Sequence, residues 1–232
     1  MHPSDAHTKF HDESMTLLQA STYLMKVHSA VLNAPQPFSE VHSELSQRLA
    51  PTYQDPHHYF MSRLFIAYIA AFELYLSNMV TAVVLRCPKK AGSVQFRLAE
   101  VLDAGDTETL VRRAIDELLN KMLYKKPLEY LDELAALLSV DKAIFAPGWP
   151  VFVEAKARRD LGAHADWTCN ATYIRKLHEA GIESTLKLGD SAVPDWRDYT
   201  RRVSDALYDL SRLLTAAVTE KHWRQDGTGT DA

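Results

Sequence analysis

The stretch that decides the fold is Leu64-Phe-Ile-Ala-Tyr-Ile-Ala-Ala-Phe-Glu73-Leu-Tyr-Leu-Ser77-Asn78-Met-Val-Thr81-Ala-Val-Val-Leu85. Its length suits a transmembrane helix of about 20 residues. Against that, Glu73 sits mid-span, and Ser77, Asn78 and Thr81 follow on the next turns. A carboxylate at the centre of a bilayer costs about 3 kcal/mol on insertion scales. A helix buried inside a soluble bundle avoids that cost, provided something hydrogen-bonds Glu73. No membrane span is expected; Arg158 or Arg159 is the expected partner of Glu73, the alternative being a snorkelling or interface carboxylate bound to another residue.

Outward from this helix the apolar spacing stays helical. After Thr107, residues Leu110, Val111, Ala114, Ile115, Leu118, Leu119, Met122 and Leu123 fall on one face, with Thr107 and Glu108 offering an N-terminal cap. Pro127 suits the first turn of a following helix that carries Leu128, Leu131, Leu134, Ala135 and Leu138. Asp195 is placed to cap a long run through Trp196, Tyr199, Val203, Leu207, Leu210, Leu214 and Ala217. A first helix near Glu13 to Asn33 and an apolar helix from about His57 to Arg86 complete the set. The economical architecture is an all-α helical bundle with short accessory helices. Only Ser184 to Val193 competes as extended chain, with Gly189-Asp190 as the turn of a small β-hairpin insert. Loop signals at Pro35–Pro37, Pro51–Pro56, Cys87–Gly92 and Pro147–Pro150 are short. The expected organisation is an N-terminal helical segment over 1–56 packed on a domain over 57–224, then a frayed polar tail over 225–232.

Composition narrows the function classes. The 232 residues carry 26 Lys plus Arg against 30 Asp plus Glu, a net charge of -4. No whole-molecule field attracts a polyanion, so a nucleic-acid contact must use a local basic patch. The two cysteines, Cys87 and Cys169, form no CxxC pair, and the start MHPSDAHTKFHDE lacks the basic and apolar regions of a secretory signal. A reducing, cytoplasmic setting is expected. His7 and His11 are spaced i, i+4 and His57 and His58 are adjacent, but neither pair has an HExxH context or a third ligand, so no metal is expected. The absence of GxxxxGK[ST], GxGxxG and GxSxG removes the usual anchors of nucleotide folds and α/β-hydrolases, and no cofactor is expected.

One segment is unlike the rest: Glu154-Ala-Lys156-Ala-Arg158-Arg159-Asp160-Leu-Gly162-Ala-His164-Ala-Asp166-Trp167. Asp160 and His164 share a helix face, whereas Arg159 and His164 diverge by about 140° on an ideal helix. They meet only through the long arginine side chain, through a bend at Gly162, or across a dimer. Arginine and histidine without a metal suit phosphodiester cleavage by an adjacent 2'-hydroxyl: imidazole moves the proton, and guanidinium holds the phosphate as its charge grows. The bland alternative is an ordinary surface helix with a Glu154–Arg158 pair and a histidine at its C-terminal end. From Glu154 to Lys176, five Lys or Arg residues face three carboxylates, a modest basic island. Lys156, Trp167 and Tyr173 are the candidate substrate contacts there, although core packing is the commoner use of such rings.

The run Arg158-Arg159-Asp160-Leu161-Gly162-Ala163-His164, followed by Asn170-Ala-Thr-Tyr173-Ile174, resembles the signature of the HEPN superfamily. Its ribonuclease members carry an arginine, a polar residue and, four to six positions on, a histidine. Arg159, Asp160 and His164 match these in turn, with Asp160 where asparagine is common. The order of Phe72-Glu73-Leu74, the motif, Tyr173 to Gly181, Leu188-Gly189-Asp190 and the helix from Asp195 is similar as well. The resemblance implies a helical bundle that dimerises with its motifs facing one cleft. It implies Arg159, His164 and Asp160 as catalytic residues, with Arg158 and Glu73 supporting them. The expected function is a metal-independent endoribonuclease, of the kind found among toxins and host-defence effectors, with RNA as substrate and an inhibitory antitoxin protein as a partner. Two alternatives stay open: a non-catalytic HEPN interaction or nucleotide-binding module, and an unrelated helical scaffold.

Overall fold

A computed structural model of the chain describes residues 2–32, 40, 43–44 and 56–224. Among these the chain forms eight α-helices: α1 (Pro3–Leu32), α2 (Pro56–Arg86), α3 (Leu98–Ala104), α4 (Thr107–Leu123), α5 (Pro127–Leu138), α6 (Trp149–His164), α7 (Ala171–Glu179) and α8 (Arg201–His222). The fold is an all-α bundle. The expected loops at Pro35–Pro37 and 51–55, and the tail over 225–232, lie outside the described residues.

The long apolar helix α2 is the axis of the bundle, touching α1, α4, α5, α6 and α8. Phe65, Ile69, Phe72, Leu76, Met79 and Val83 along it are wholly buried. The two tyrosines of α2 that reach α8 keep their hydroxyls paired, as buried polar groups must be. Tyr75 donates to the Ser211 carbonyl at 2.8 Å and Tyr68 to that of Ser204 at 3.2 Å. Helix α1 lies along α2 and α8 and adds Ala6 and Phe10 to the same core.

Local signals set the helix boundaries, with corrections. α1 opens at Pro3 rather than near Glu13, because proline suits a helix's first turn and Phe10 has a core site to fill. The cap of α4 is Asp106, not Thr107: its carboxylate accepts the Thr109 amide at 2.7 Å. Asp195 caps as expected, accepting the amides of Arg197 and Asp198, but the first turn it opens is a wide π turn over Trp196–Thr200 before α8 begins. The hairpin expected over Ser184–Val193 does not form. That segment pairs its backbone with residues 167–169 instead: an isolated antiparallel bridge joins Thr168 and Ser191, flanked by Cys169 N to Asp190 O at 2.9 Å and Ala192 N to Trp167 O at 2.7 Å.

Helix α6 ends in a sharp reversal. Asp166 and Trp167 both take positive φ, 46° and 57°, a conformation that costs non-glycine residues on the order of 1 kcal/mol each. The reversal folds the Trp167 ring back under its own helix, where it is wholly buried. Gly162 makes that possible by close approach rather than by bending the helix. A Cβ there would stand 2.3 Å from Trp167 Cζ2.

Candidate functional site

Glu73, in the middle of α2, faces α6 and accepts from Lys156 Nζ and Arg159 Nη2. Of the two arginines expected as its partner, Arg159 takes the role and Arg158 does not. The pair is mostly shielded, with side-chain exposures of 19% for Arg159 and 22% for Glu73. Two cations satisfy the carboxylate that the apolar helix carries. Arg159 Nε also lies 3.5 Å from Asp160 Oδ1, and Lys176 of α7 donates to the other Asp160 oxygen at 2.9 Å. A chain of alternating charge therefore runs from α2 through α6 to α7: Lys156, Glu73, Arg159, Asp160, Lys176.

Arg158 points the other way, into a second network. Its Nε donates to Glu154 at 2.8 Å, and its guanidinium stacks over the Tyr199 ring at 4.0 Å. Glu154 also accepts the hydroxyls of Tyr173, at 2.7 Å, and Tyr199. The i, i+4 pair that an ordinary surface helix would expose is buried here. Burial first, and the adjacent Glu154 carboxylate second, push both phenols well above their usual range. They remain neutral donors, which suits a structural clamp joining α6, α7 and the π turn.

The remaining expected residues divide. His164 is exposed in the last turn of α6, and no hydrogen bond or ion pair ties it to Arg159 within the chain. Lys156 stays half-buried on Glu73. Trp167 and Tyr173, candidates for stacking on bases, are both buried, at 0% and 2% exposure. Neither ring faces solvent, because the reversal after α6 seats Trp167 under Gly162 and the Tyr173 hydroxyl is drawn in to Glu154. His7 and His11 stack 6.5 Å apart between ring centroids, beside Tyr208 of α8.

Beside the Glu73 cluster opens a cleft of about 360 Å³ between α2, the α4–α5 connection, α6 and α7. Glu73, Lys156 and Asp160 form one wall. The floor is apolar, with Trp149 and Tyr130 stacked nearly parallel at 5.6 Å. Burial and the Glu73 carboxylate raise the Tyr130 phenol above its ordinary range. Elsewhere in the cleft, Lys125 and Lys126 come from the α4–α5 connection and Arg175 and Glu179 from α7, with no shared motif in the chain. Tyr199 was legible only as an apolar position of a helical stripe, and Trp149 only as part of the Pro147–Pro150 loop signal, where the structure instead starts α6 with Pro150 in its first turn.

The chain matches no protein-family model, and no curated protein or solved structure shows significant similarity to it. What the site can do rests on its own residues.

Proposed function

We propose that the protein is a metal-independent endoribonuclease of HEPN-like character, with Arg159 as the phosphate ligand and His164 as the proton carrier. The observation that carries this reading is the way Glu73 and Asp160 hold Arg159 against α2 while His164 stands exposed at the end of the same helix. An arginine whose position is set by two carboxylates is pre-organised to meet a phosphate, and an exposed imidazole is open to a substrate hydroxyl. In the proposed step the 2'-oxygen of the RNA attacks the adjacent phosphorus as its proton passes to a base. The P–O5' bond breaks, and the 5'-oxygen leaves with a proton from an acid. The products are a 2',3'-cyclic phosphate and a 5'-hydroxyl. Each chain offers one motif histidine, so a second copy with its motif facing the first would supply both proton carriers. Asp160 holds the arginine rather than the substrate.

Incubation of the purified protein with mixed RNA in chelator, beside His164→Ala, tests the reading. Cleavage by the wild type alone, with cyclic-phosphate ends and no cut at a 2'-deoxy position, is the expected result. A magnesium requirement or cleavage of the deoxy substrate would mean a different mechanism.

Contact between Arg159 and Glu73 also favours a second reading, a non-catalytic interaction or nucleotide-binding module, since the guanidinium is already neutralised within the chain. Equal absence of cleavage in wild type and variant would select it.

A further inference from the structure

We propose that the cleft beside Glu73 binds a nucleoside monophosphate unit, with its ring on the apolar floor and its phosphate at the cationic mouth. The source of that unit rests on the ribonuclease reading: it is the nucleotide of RNA next to the cut bond. Three independent features of the cleft converge on this ligand chemistry. Its volume, about 360 Å³, falls within the roughly 300–1,000 Å³ of small-molecule sites. Five cations line it, Lys125, Lys126, Lys156, Arg175 and Lys176, against the carboxylates Glu73, Asp160 and Glu179. The balance is positive in a protein whose net charge is -4, so an anion is drawn to this place rather than to the surface at large.

The floor specifies the rest of the ligand. Met122, Tyr130, Trp149, Phe152 and Val153 line an apolar, aromatic-rich floor in which all but Tyr130 are almost wholly buried. The indole nitrogen of Trp149 is buried and has no acceptor among the described residues. A buried donor left unpaired costs about 1–3 kcal/mol, a cost that a ring carrying a carbonyl or ring-nitrogen acceptor removes and a plain hydrocarbon ring does not. Tyr124 at the mouth is 91% exposed and free to lie over such a ring, where stacking on a base is worth about 1–3 kcal/mol. Among the cations, Lys125, Lys126, Lys156 and Lys176 each already face a carboxylate. Arg175 is exposed and takes no ion pair among the described residues, and its fork suits a phosphate. The cleft shares Glu73 and Asp160 with Arg159, so a nucleotide seated in it lies next to the arginine assigned to the cut phosphate.

Calorimetric titration of the full chain with the four nucleoside 5'-monophosphates, with a nucleoside and with inorganic phosphate, tests the assignment. At least one monophosphate is expected to bind at least tenfold more tightly than either of its halves. Arg175→Glu is expected to weaken it at least tenfold. Trp149→Phe, which keeps the ring and removes the donor, is expected to weaken it several-fold while leaving inorganic phosphate unchanged. Failure of every monophosphate to bind, or binding indifferent to both substitutions, overturns the cleft assignment. If RNA is still cleaved in that case, the ribonuclease reading stands without it. Monophosphate binding without any RNA cleavage supports the cleft and overturns the ribonuclease reading, leaving free nucleotide as the source. Inhibition of cleavage by the bound monophosphate is the outcome expected if both hold.

Discussion

At the scale of single residues, Arg158 and Arg159 show how far neighbours in sequence diverge in role. One step along a helix turns a side chain by about 100°, which here separates a guanidinium clamped in a buried tyrosine network from one held on the Glu73 carboxylate of α2. His164→Ala is expected to lower RNA cleavage by about 10² or more while leaving the melting temperature unchanged, since the side chain is exposed. Equal rates for wild type and variant would remove the histidine from the mechanism. Arg159→Ala is expected to lower cleavage similarly, and Arg159→Lys to recover it only in part because the forked geometry is lost. Gly162→Ala tests a different property. Its Cβ would enter the Trp167 ring at 2.3 Å, so a loss of about 1–3 kcal/mol in urea unfolding is expected. A variant as stable as wild type would show that the ring has somewhere else to go.

At the scale of elements, the packing of α1 through His7 is expected to depend on pH. His7 on α1 packs between Tyr75 of α2 and Tyr208 of α8, meets the Ser211 hydroxyl at 3.2 Å and stacks on His11. Burial first, then the positive charges of His11 and Arg212, hold it below its usual value of 6.5. The unfolded chain therefore takes up this proton before the folded one. The stability that rests on a neutral His7 is fully present above pH 6.5 and is lost as pH falls through the lowered folded value. The urea midpoint is expected to fall between pH 7.5 and pH 5.5, and to fall less in His7→Gln, which lacks the titrating group. Equal falls in the two proteins would rule out His7 as a contributor. The reversal after α6 is the contrasting element: two left-handed residues, Asp166 and Trp167, stand where one large ring is buried.

At the scale of the whole molecule, the proposed reaction needs the shielded Arg159 and the exposed His164 to meet at one phosphate. Under the proposed ribonuclease reading, two chains with facing α6 helices are expected to bring them together, with the face of α2 around Phe60, 44% exposed, and Arg63 as the proposed adjoining contact. Mixing His164→Ala chains with Arg159→Ala chains is expected to give an activity different from that of either variant alone, because a shared cleft draws one motif from each chain. A protein that stays monomeric at working concentration and cleaves at full rate would overturn the shared cleft.

What the chain encodes locally was legible: the helical period of each long element, Pro127 and Asp195 at helix starts, and the need of Glu73 for a cationic partner. Each of these rests on contacts within a few residues or on the cost of an unpaired charge. Which cation answered Glu73 was decided by packing, since only the facing of α6 on α2 turns Arg159 and Lys156 inward and Arg158 away. The burial of Trp167, the pairing of 189–192 with 167–169 in place of a hairpin, and the cleft itself were likewise decided by tertiary structure. Periodicity says which face of a helix is apolar, but it does not say which other helix will cover that face. A cleft built from α2, α4, α5, α6 and α7 has no local signature, because its residues become neighbours only when the bundle closes.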